Sequence, residues 1–226
     1  MLRRTSVRLR TSGLYAILDL DVFRSRGVDP ARSGVAESIA DAMIAGGATT
    51  LQLRAKHEGG RDTLALLRRL APVARRHGVP LFANDRVDLA VLAGVDGVHV
   101  GQDDLALADV RTISRELLVG VSTHDAHQLS SAMAAEPDYL AFGPVFGTRS
   151  KERPDPTVGL DGVARSVALA GARPLVVIGG IERTNVSSVR AAGARWFAVI
   201  SDLTAVRDGE PDLPEIERRA RAFEAT

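Results

Sequence analysis

The chain has 226 residues, with 29 basic against 28 acidic side chains, a formal net charge of +1 and no cysteine. So balanced a charge gives no global field to draw nucleic acid or an anionic membrane, and neither is an expected partner. Without cysteine there are no disulfides, no thiolate catalysis and no cysteine-ligated zinc, which leaves hard oxygen ligands as the expected metal chemistry.

At the start, MLRRTSVRLRTS is rich in Arg, Ser and Thr but has no hydrophobic stretch of the secretory kind, and no later apolar run approaches the roughly 18 residues of a membrane span. Residues 1–12 therefore read as a basic, flexible terminus and 13–226 as one catalytic domain, with a cytoplasmic location expected. A hydrophobic content of 45% suits a soluble enzyme with a sizeable core.

From Leu14 onward, short β-rich runs alternate with helical patterns. The runs occupy 14–19, 49–55, 80–85, 97–101, 117–123, 139–146, 174–181 and 195–201. Between them, apolar residues recur at i, i+3, i+4 and i+7, as in Val35, Ile39, Ala42 and Met43, or Leu64, Leu67, Leu70 and Val73. Glycines close several of these helical stretches, at Gly46-Gly47, Gly78, Gly94, Gly171 and Gly193, where left-handed helix stops are expected. Strand and helix repeated in this way predict parallel pairing with right-handed crossovers, hence an α/β chain forming a single (β/α)8 TIM barrel. A doubly wound open sheet is the alternative, but no glycine-rich fingerprint follows the first strand at Asp19.

The unusual polar residues collect where the barrel strands should end. Gln52, Arg54 and Lys56 are spaced by two, which predicts one shared face of a strand. Asn84 and Asp85 follow in the third run, Asp103 and Asp104 after the fourth, Ser122 in the fifth, and Thr148, Ser150 and Lys151 after the sixth. Taken singly, Asn84-Asp85 and Asp103-Asp104 are better read as helix N-caps, while Gln52, Arg54 and Lys56 read equally as a solvated strand end or as ligand contacts. Gathered at one mouth, they match a phosphorylated ligand held with a divalent metal. Gly180, Ile200 and Ser201, just before helical segments, can present backbone N–H groups to a second phosphate. Two anion sites suggest transfer between two phosphorylated substrates. Among the histidines, His57, His77 and His127 read as surface residues, His99 as a hydrogen-bonded core residue, and His124 as either a substrate contact or a cap.

Taken in order, LYAILD, QLRAK, NDRVDLA, DGVHVGQDDL, GVSTH, YLAFGPVFGTRSK, VIGGI and AVIS resemble the thiamine phosphate synthase family over residues 13–204. The resemblance implies a barrel that joins 4-amino-5-hydroxymethyl-2-methylpyrimidine diphosphate to 4-methyl-5-(2-hydroxyethyl)thiazole phosphate, releasing diphosphate, with Mg2+ as cofactor. By motif it gives Asp85 and Asp104 to the metal, and Gln52, Arg54, Lys56, Asn84 and Lys151 to the pyrimidine diphosphate. Ser122 falls to the pyrimidine side; Thr148, Ser150, Gly180, Ile200 and Ser201 fall to the thiazole phosphate. Arg54, Lys56, Ser122 and Lys151 carry the catalytic roles, while Arg86 starts the next helix. Partners are then small phosphorylated molecules, and a homo-oligomer is compatible without being required. A thiazole tautomerase of the same barrel family and a non-catalytic precursor-binding barrel are the competing readings.

Three departures from the family pattern stand out. Leu18 stands where a Thr is expected before Asp19, the stretch 22–34 lengthens the first loop, and Asp202 follows Ser201 where a small residue is expected. Its carboxylate would repel the nearby phosphate unless it points to solvent or caps the final helix.

Overall fold

The computed structural model describes residues 9–147 and 155–224. Its elements in chain order are β1 Gly13–Asp19, α1 Leu20–Arg24, α2 Val35–Ala45, β2 Ala48–Arg54, α3 Gly60–Arg76, β3 Leu81–Asn84, α4 Val87–Ala93, β4 Gly97–Val100, α5 Leu107–Ile113 and β5 Leu118–Thr123. These are followed by α6 Ala126–Ala135, β6 Tyr139–Phe142, α7 Gly159–Ala170, β7 Leu175–Ile178, α8 Val186–Ala191, β8 Trp196–Val199, a 3-10 turn at Ser201–Leu203, β9 Val206–Arg207, β10 Glu210–Pro211 and α9 Leu213–Ala222. Strands β1 to β8 pair in sequence order, and β8 closes on β1. Every pairing in that ring is parallel. The (β/α)8 barrel is thus formed and the open-sheet alternative is excluded.

Period-2 alternation divides the strands between two cores. On β1, Leu14, Ala16 and Leu18 face the helices, while Tyr15 and Ile17 face the barrel interior with Phe82, Tyr139, Ala141, Val176, Trp196 and Ala198. Four of these interior residues are large aromatics, so the neighbouring strands must give way. A Cβ at Gly120 would lie 2.0 Å from the Tyr139 ring, and one at Gly97 would lie 2.3 Å from the ring of Phe82. Both glycines are inward positions left empty so that a ring can cross the axis.

The amphipathic helices follow the spacing read from the sequence. On α3, Leu67, Leu70 and Val73 are buried, and on α2 Ile39, Ala42 and Met43 are buried. Gly94 ends α4 in the expected left-handed conformation at φ 64°. Gly46 does something else. Its φ is −78°, and its missing side chain lets α9 approach, since a Cβ there would meet Ala220 Cβ and the Glu217 carbonyl at 2.5 Å. The β9–β10 hairpin was not read from the sequence, although its Asp208-Gly209 turn, at φ 52° and 78°, is a known hairpin signal. Residues 1–8 of the expected flexible terminus lie outside the described residues, and among those described no helix is long and apolar enough to cross a membrane.

Replacing Gly120 by Ala forces a methyl into the Tyr139 ring and should destabilise the fold by about 1–3 kcal/mol, the usual effect of overpacking. Urea unfolding should show a lower midpoint with an unchanged slope; an unaltered midpoint would mean that the ring has room to move.

Candidate active site

The C-terminal ends of the strands surround a cavity of about 670 Å³, within the range that holds one or two small ligands. Gln52, Arg54, Asn84, Ser122, Gly180, Ile200 and Ser201 all line it, so residues separated by up to 149 positions (201 − 52) share one chamber. Lys56, Asp85 and Asp104 form a connected group that follows the lining residues Arg54 and Asn84 in the chain. Thr148, Ser150 and Lys151 lie outside the described residues.

Register explains the inner part of this arrangement. Asp19 and Arg54 are direct cross-strand partners at the ends of β1 and β2, and Arg54 Nη1 meets Asp19 Oδ2 at 2.5 Å. Asp19 is fully buried as a side chain, and its other oxygen caps α1 by accepting from the Asp21 and Val22 N–H groups. A buried carboxylate needs such partners. Sequence spacing placed Gln52, Arg54 and Lys56 on one strand face, but β2 ends at Arg54, so only Gln52 and Arg54 share it. Lys56 sits in the following turn, with Nζ 2.8 Å from Asp85 Oδ2. Arg54 and Lys56 are therefore paired cations rather than bare ones, because each strand end that carries a base also faces an acid.

Asp85 has a left-handed backbone, φ 61°, which is strained for a residue with a Cβ. Its N–H donates to the His99 carbonyl at 2.8 Å, which holds the strained turn and aims the carboxylate at Lys56 and Asp104. Arg86 then precedes α4 and pairs with Asp88 at 2.6 Å, away from the ligand set, as the sequence implied. Asp104 accepts the Gly101 N–H at 2.7 Å. Burial first, and the adjoining Asp85 carboxylate second, hold Asp104 above the usual aspartate range against the pull of the Gly101 N–H and Lys56.

Two adjoining carboxylates are a fitting anchor for a hard divalent ion. Among the described residues no cluster of three or more His, Cys, Asp or Glu could form a complete metal cage. Magnesium suits the smaller set, since it commonly takes one or two carboxylates and completes its shell with water and substrate phosphate.

At the opposite wall, Gly180 lies in the left-handed region at φ 61°, and among the described residues its N–H makes no backbone hydrogen bond. A Cβ there would lie 2.6 Å from the Gly147 carbonyl, so only glycine fits. Asp202 neither points to solvent nor caps α9, which overturns both expected escapes. It is paired with Arg183, whose Nε and backbone N–H reach Asp202 Oδ2 at 2.9 and 3.0 Å. The added acid is thus neutralised by an added base from the β7–α8 loop. Arg26, from the lengthened first loop, also lines the cavity and donates to the Ser201 and Thr204 carbonyls. His124 lines the wall with Nδ1 2.6 Å from the Gly143 carbonyl, whereas His57, His77 and His127 are exposed.

Sequence reasoning missed Asp19, Tyr15, Tyr139, Arg26 and Arg183. The tyrosines sit inside β-rich runs and carry no spacing signal, and Arg183 is one arginine among many until its partner is known.

A family model described as thiamine monophosphate synthase matches residues 28–203. A thiamine-phosphate synthase from Koribacter versatilis is 47% identical over 196 residues, covering 86% of this chain and 90% of that protein. The solved structure of a thiamine phosphate pyrophosphorylase from Pyrococcus furiosus superposes with a TM-score of 0.77 at 27% identity, covering 95% of each chain. A 2-keto-3-deoxy-6-phospho-gluconate aldolase from Zymomonas mobilis, at TM-score 0.69 and 17% identity over 98% of this chain and 95% of that one, shares the fold.

Because the folded pKa of Asp104 is raised, the native state holds more proton than the unfolded chain between the ordinary aspartate value of about 4 and the raised one. This group's contribution is complete below that window and is lost as pH climbs through it. Asp104→Asn keeps an oxygen for the Gly101 N–H and should unfold at a higher temperature than wild type at neutral pH, with a weaker fall across the window. A lower unfolding temperature with the original pH slope would contradict burial and the Asp85 carboxylate as the cause of the raised value.

Proposed function

The chain belongs to the thiamine monophosphate synthase family, and from that premise we propose that it joins 4-amino-5-hydroxymethyl-2-methylpyrimidine diphosphate to 4-methyl-5-(2-hydroxyethyl)thiazole phosphate, giving thiamine phosphate and diphosphate. The observation that carries the reading is that Arg54 and Asn84 line the same cavity as Gly180, Ile200 and Ser201, with the connected Lys56–Asp85–Asp104 group next to them in the chain. The first set would take the diphosphate and the second the monophosphate.

In this reading the C–O bond of the pyrimidine methylene breaks and its electron pair leaves with the diphosphate. The thiazole nitrogen lone pair then forms the new C–N bond. That nitrogen needs no base, and resonance in the aminopyrimidine spreads the positive charge left on the methylene. Electrostatics and positioning are the main demands. Arg54 would turn its remaining N–H groups to the leaving diphosphate while Asp19 fixes its plane, and Lys56 would shift from Asp85 to a phosphate oxygen. Lys151 would add a third cation; Gln52, Asn84 and Ser122 would orient the pyrimidine. Thr148 and Ser150 would join Gly180, Ile200 and Ser201 on the thiazole phosphate. Asp85 and Asp104 would hold Mg2+, whose chemistry is to offset charge on the diphosphate. Arg183 would keep Asp202 from repelling the second phosphate.

Purified protein mixed with both substrates and Mg2+ should produce thiamine phosphate and diphosphate in equal amounts. Tautomerised thiazole alone would favour the tautomerase, and binding without turnover the non-catalytic barrel. Lys151→Ala should lower kcat about a hundredfold, the effect of removing one transition-state donor; unchanged kcat would remove Lys151 from the mechanism. Arg183→Ala should raise KM for the thiazole phosphate about tenfold, equivalent to roughly 1.4 kcal/mol, with the pyrimidine diphosphate KM unmoved. Equal changes in both KM values would instead indicate a general disturbance of the site.

A further inference from the structure

Along the floor of the cavity, the barrel interior contains a continuous file of polar atoms. Gln52 Nε2 donates to the Tyr15 hydroxyl at 2.9 Å, and Tyr15 and Tyr139 share a hydrogen bond of 2.8 Å. The Tyr139 hydroxyl is 2.8 Å from His99 Nδ1, and His99 Nε2 is 2.8 Å from Ser122 Oγ. All five residues line the cavity. The file therefore runs along its floor from β2 through β1, β6 and β4 to β5.

Each hydroxyl in the file has one proton, so one donor fixes all the others. Gln52 donates to Tyr15, which must spend its proton on Tyr139. Tyr139 must then spend its own on His99 Nδ1. An imidazole that accepts at Nδ1 carries its hydrogen on Nε2, and donates it to Ser122. Ser122 has its lone pair engaged and its O–H left to point into the cavity. Both phenols keep their protons at neutral pH, because burial raises Tyr15 and Tyr139 above the usual tyrosine range.

We propose that Gln52, Tyr15 and Tyr139 act as positioning residues that fix His99 as the Nε2–H tautomer, and so present Ser122 to the substrate as a hydrogen-bond donor. What Ser122 recognises would be a lone pair, such as a heteroaromatic ring nitrogen, rather than an amino group. The direction of the file follows from Gln52 facing Tyr15 with its amide Nε2. Only the identity of the acceptor rests on the proposed reaction.

Long-range 1H–15N spectra of the full-length protein, with the His99 signals assigned by their loss in His99→Asn, read the tautomer without any substrate. Wild type should show Nε2–H; a neutral Nδ1–H ring, or an imidazolium at neutral pH, would overturn the proposal. Gln52→Glu, recorded near pH 8 where a carboxylate accepts but does not donate, should reverse every bond and yield Nδ1–H. Retention of Nε2–H in that variant would also overturn it. Tyr139→Phe preserves the ring and removes the bond to Nδ1, so the ring should become a mixture of tautomers. The same variant should lower kcat/KM for the pyrimidine diphosphate roughly two- to tenfold, the worth of one hydrogen bond, with the thiazole phosphate KM constant. A single tautomer with unaltered kinetics would count against the file. If wild type forms no thiamine phosphate, the proposed reaction fails while the tautomer measurement still decides the positioning role.

Discussion

A hydrogen bond across the barrel axis, Tyr15 to Tyr139, ties the core to the site. Placing two phenols in a closed barrel makes two demands on the rest of the chain. The rings need volume, which is why Gly97 and Gly120 occupy inward positions where any side chain would collide with an aromatic ring. The hydroxyls need partners, because an unpaired polar group in that interior is costly. Gln52 and His99 meet the second demand, and they lead up to the cavity. The floor of the site is therefore part of the hydrophobic core, and its polar atoms are oriented from below before any ligand arrives.

Charge at the mouth is organised by pairing. Arg54 is matched by Asp19, Lys56 by Asp85 and Asp202 by Arg183. Each pair limits the penalty of holding a charge partly out of water while no ligand is bound. A phosphorylated ligand accompanied by a cation would exchange the partners of Lys56 and Asp85 for others of the same sign, while Asp19 stays on Arg54 and Arg183 on Asp202. Preorganisation of this kind lowers the reorganisation needed when charge moves onto a leaving group. At Asp104, beside the Asp85 carboxylate, pairing is incomplete and the proton affinity is raised.

The lengthened first loop and the unusual Asp202 belong to the same local adjustment. Arg26 from that loop donates to the Ser201 and Thr204 carbonyls on either side of Asp202, and Arg183 holds its carboxylate. An acid that looks misplaced in the sequence becomes part of a brace between three loops. With Arg219 donating to the Asp202 and Thr204 carbonyls as well, the Ser201 turn is held by three guanidinium groups.

The sequence alone determined the alternation of strand and helix, the buried helix faces and the barrel, because periods of 2 and 3.6 are local properties of the backbone. It also determined that Gln52, Asn84, Ser122, Gly180, Ile200 and Ser201 would meet, since parallel strands all end at one face. The end of β2 before Lys56, the bracing role of Gly46 and the β9–β10 hairpin were settled by packing and turn geometry. Only the tertiary structure chose the partners: Asp19 for Arg54, Arg183 for Asp202, and Tyr15 for Tyr139 across 124 positions. A charge or a hydroxyl in a strand has no local pattern that names its partner. That choice is made by the register and closure of the ring, which exist only once all eight strands are in place.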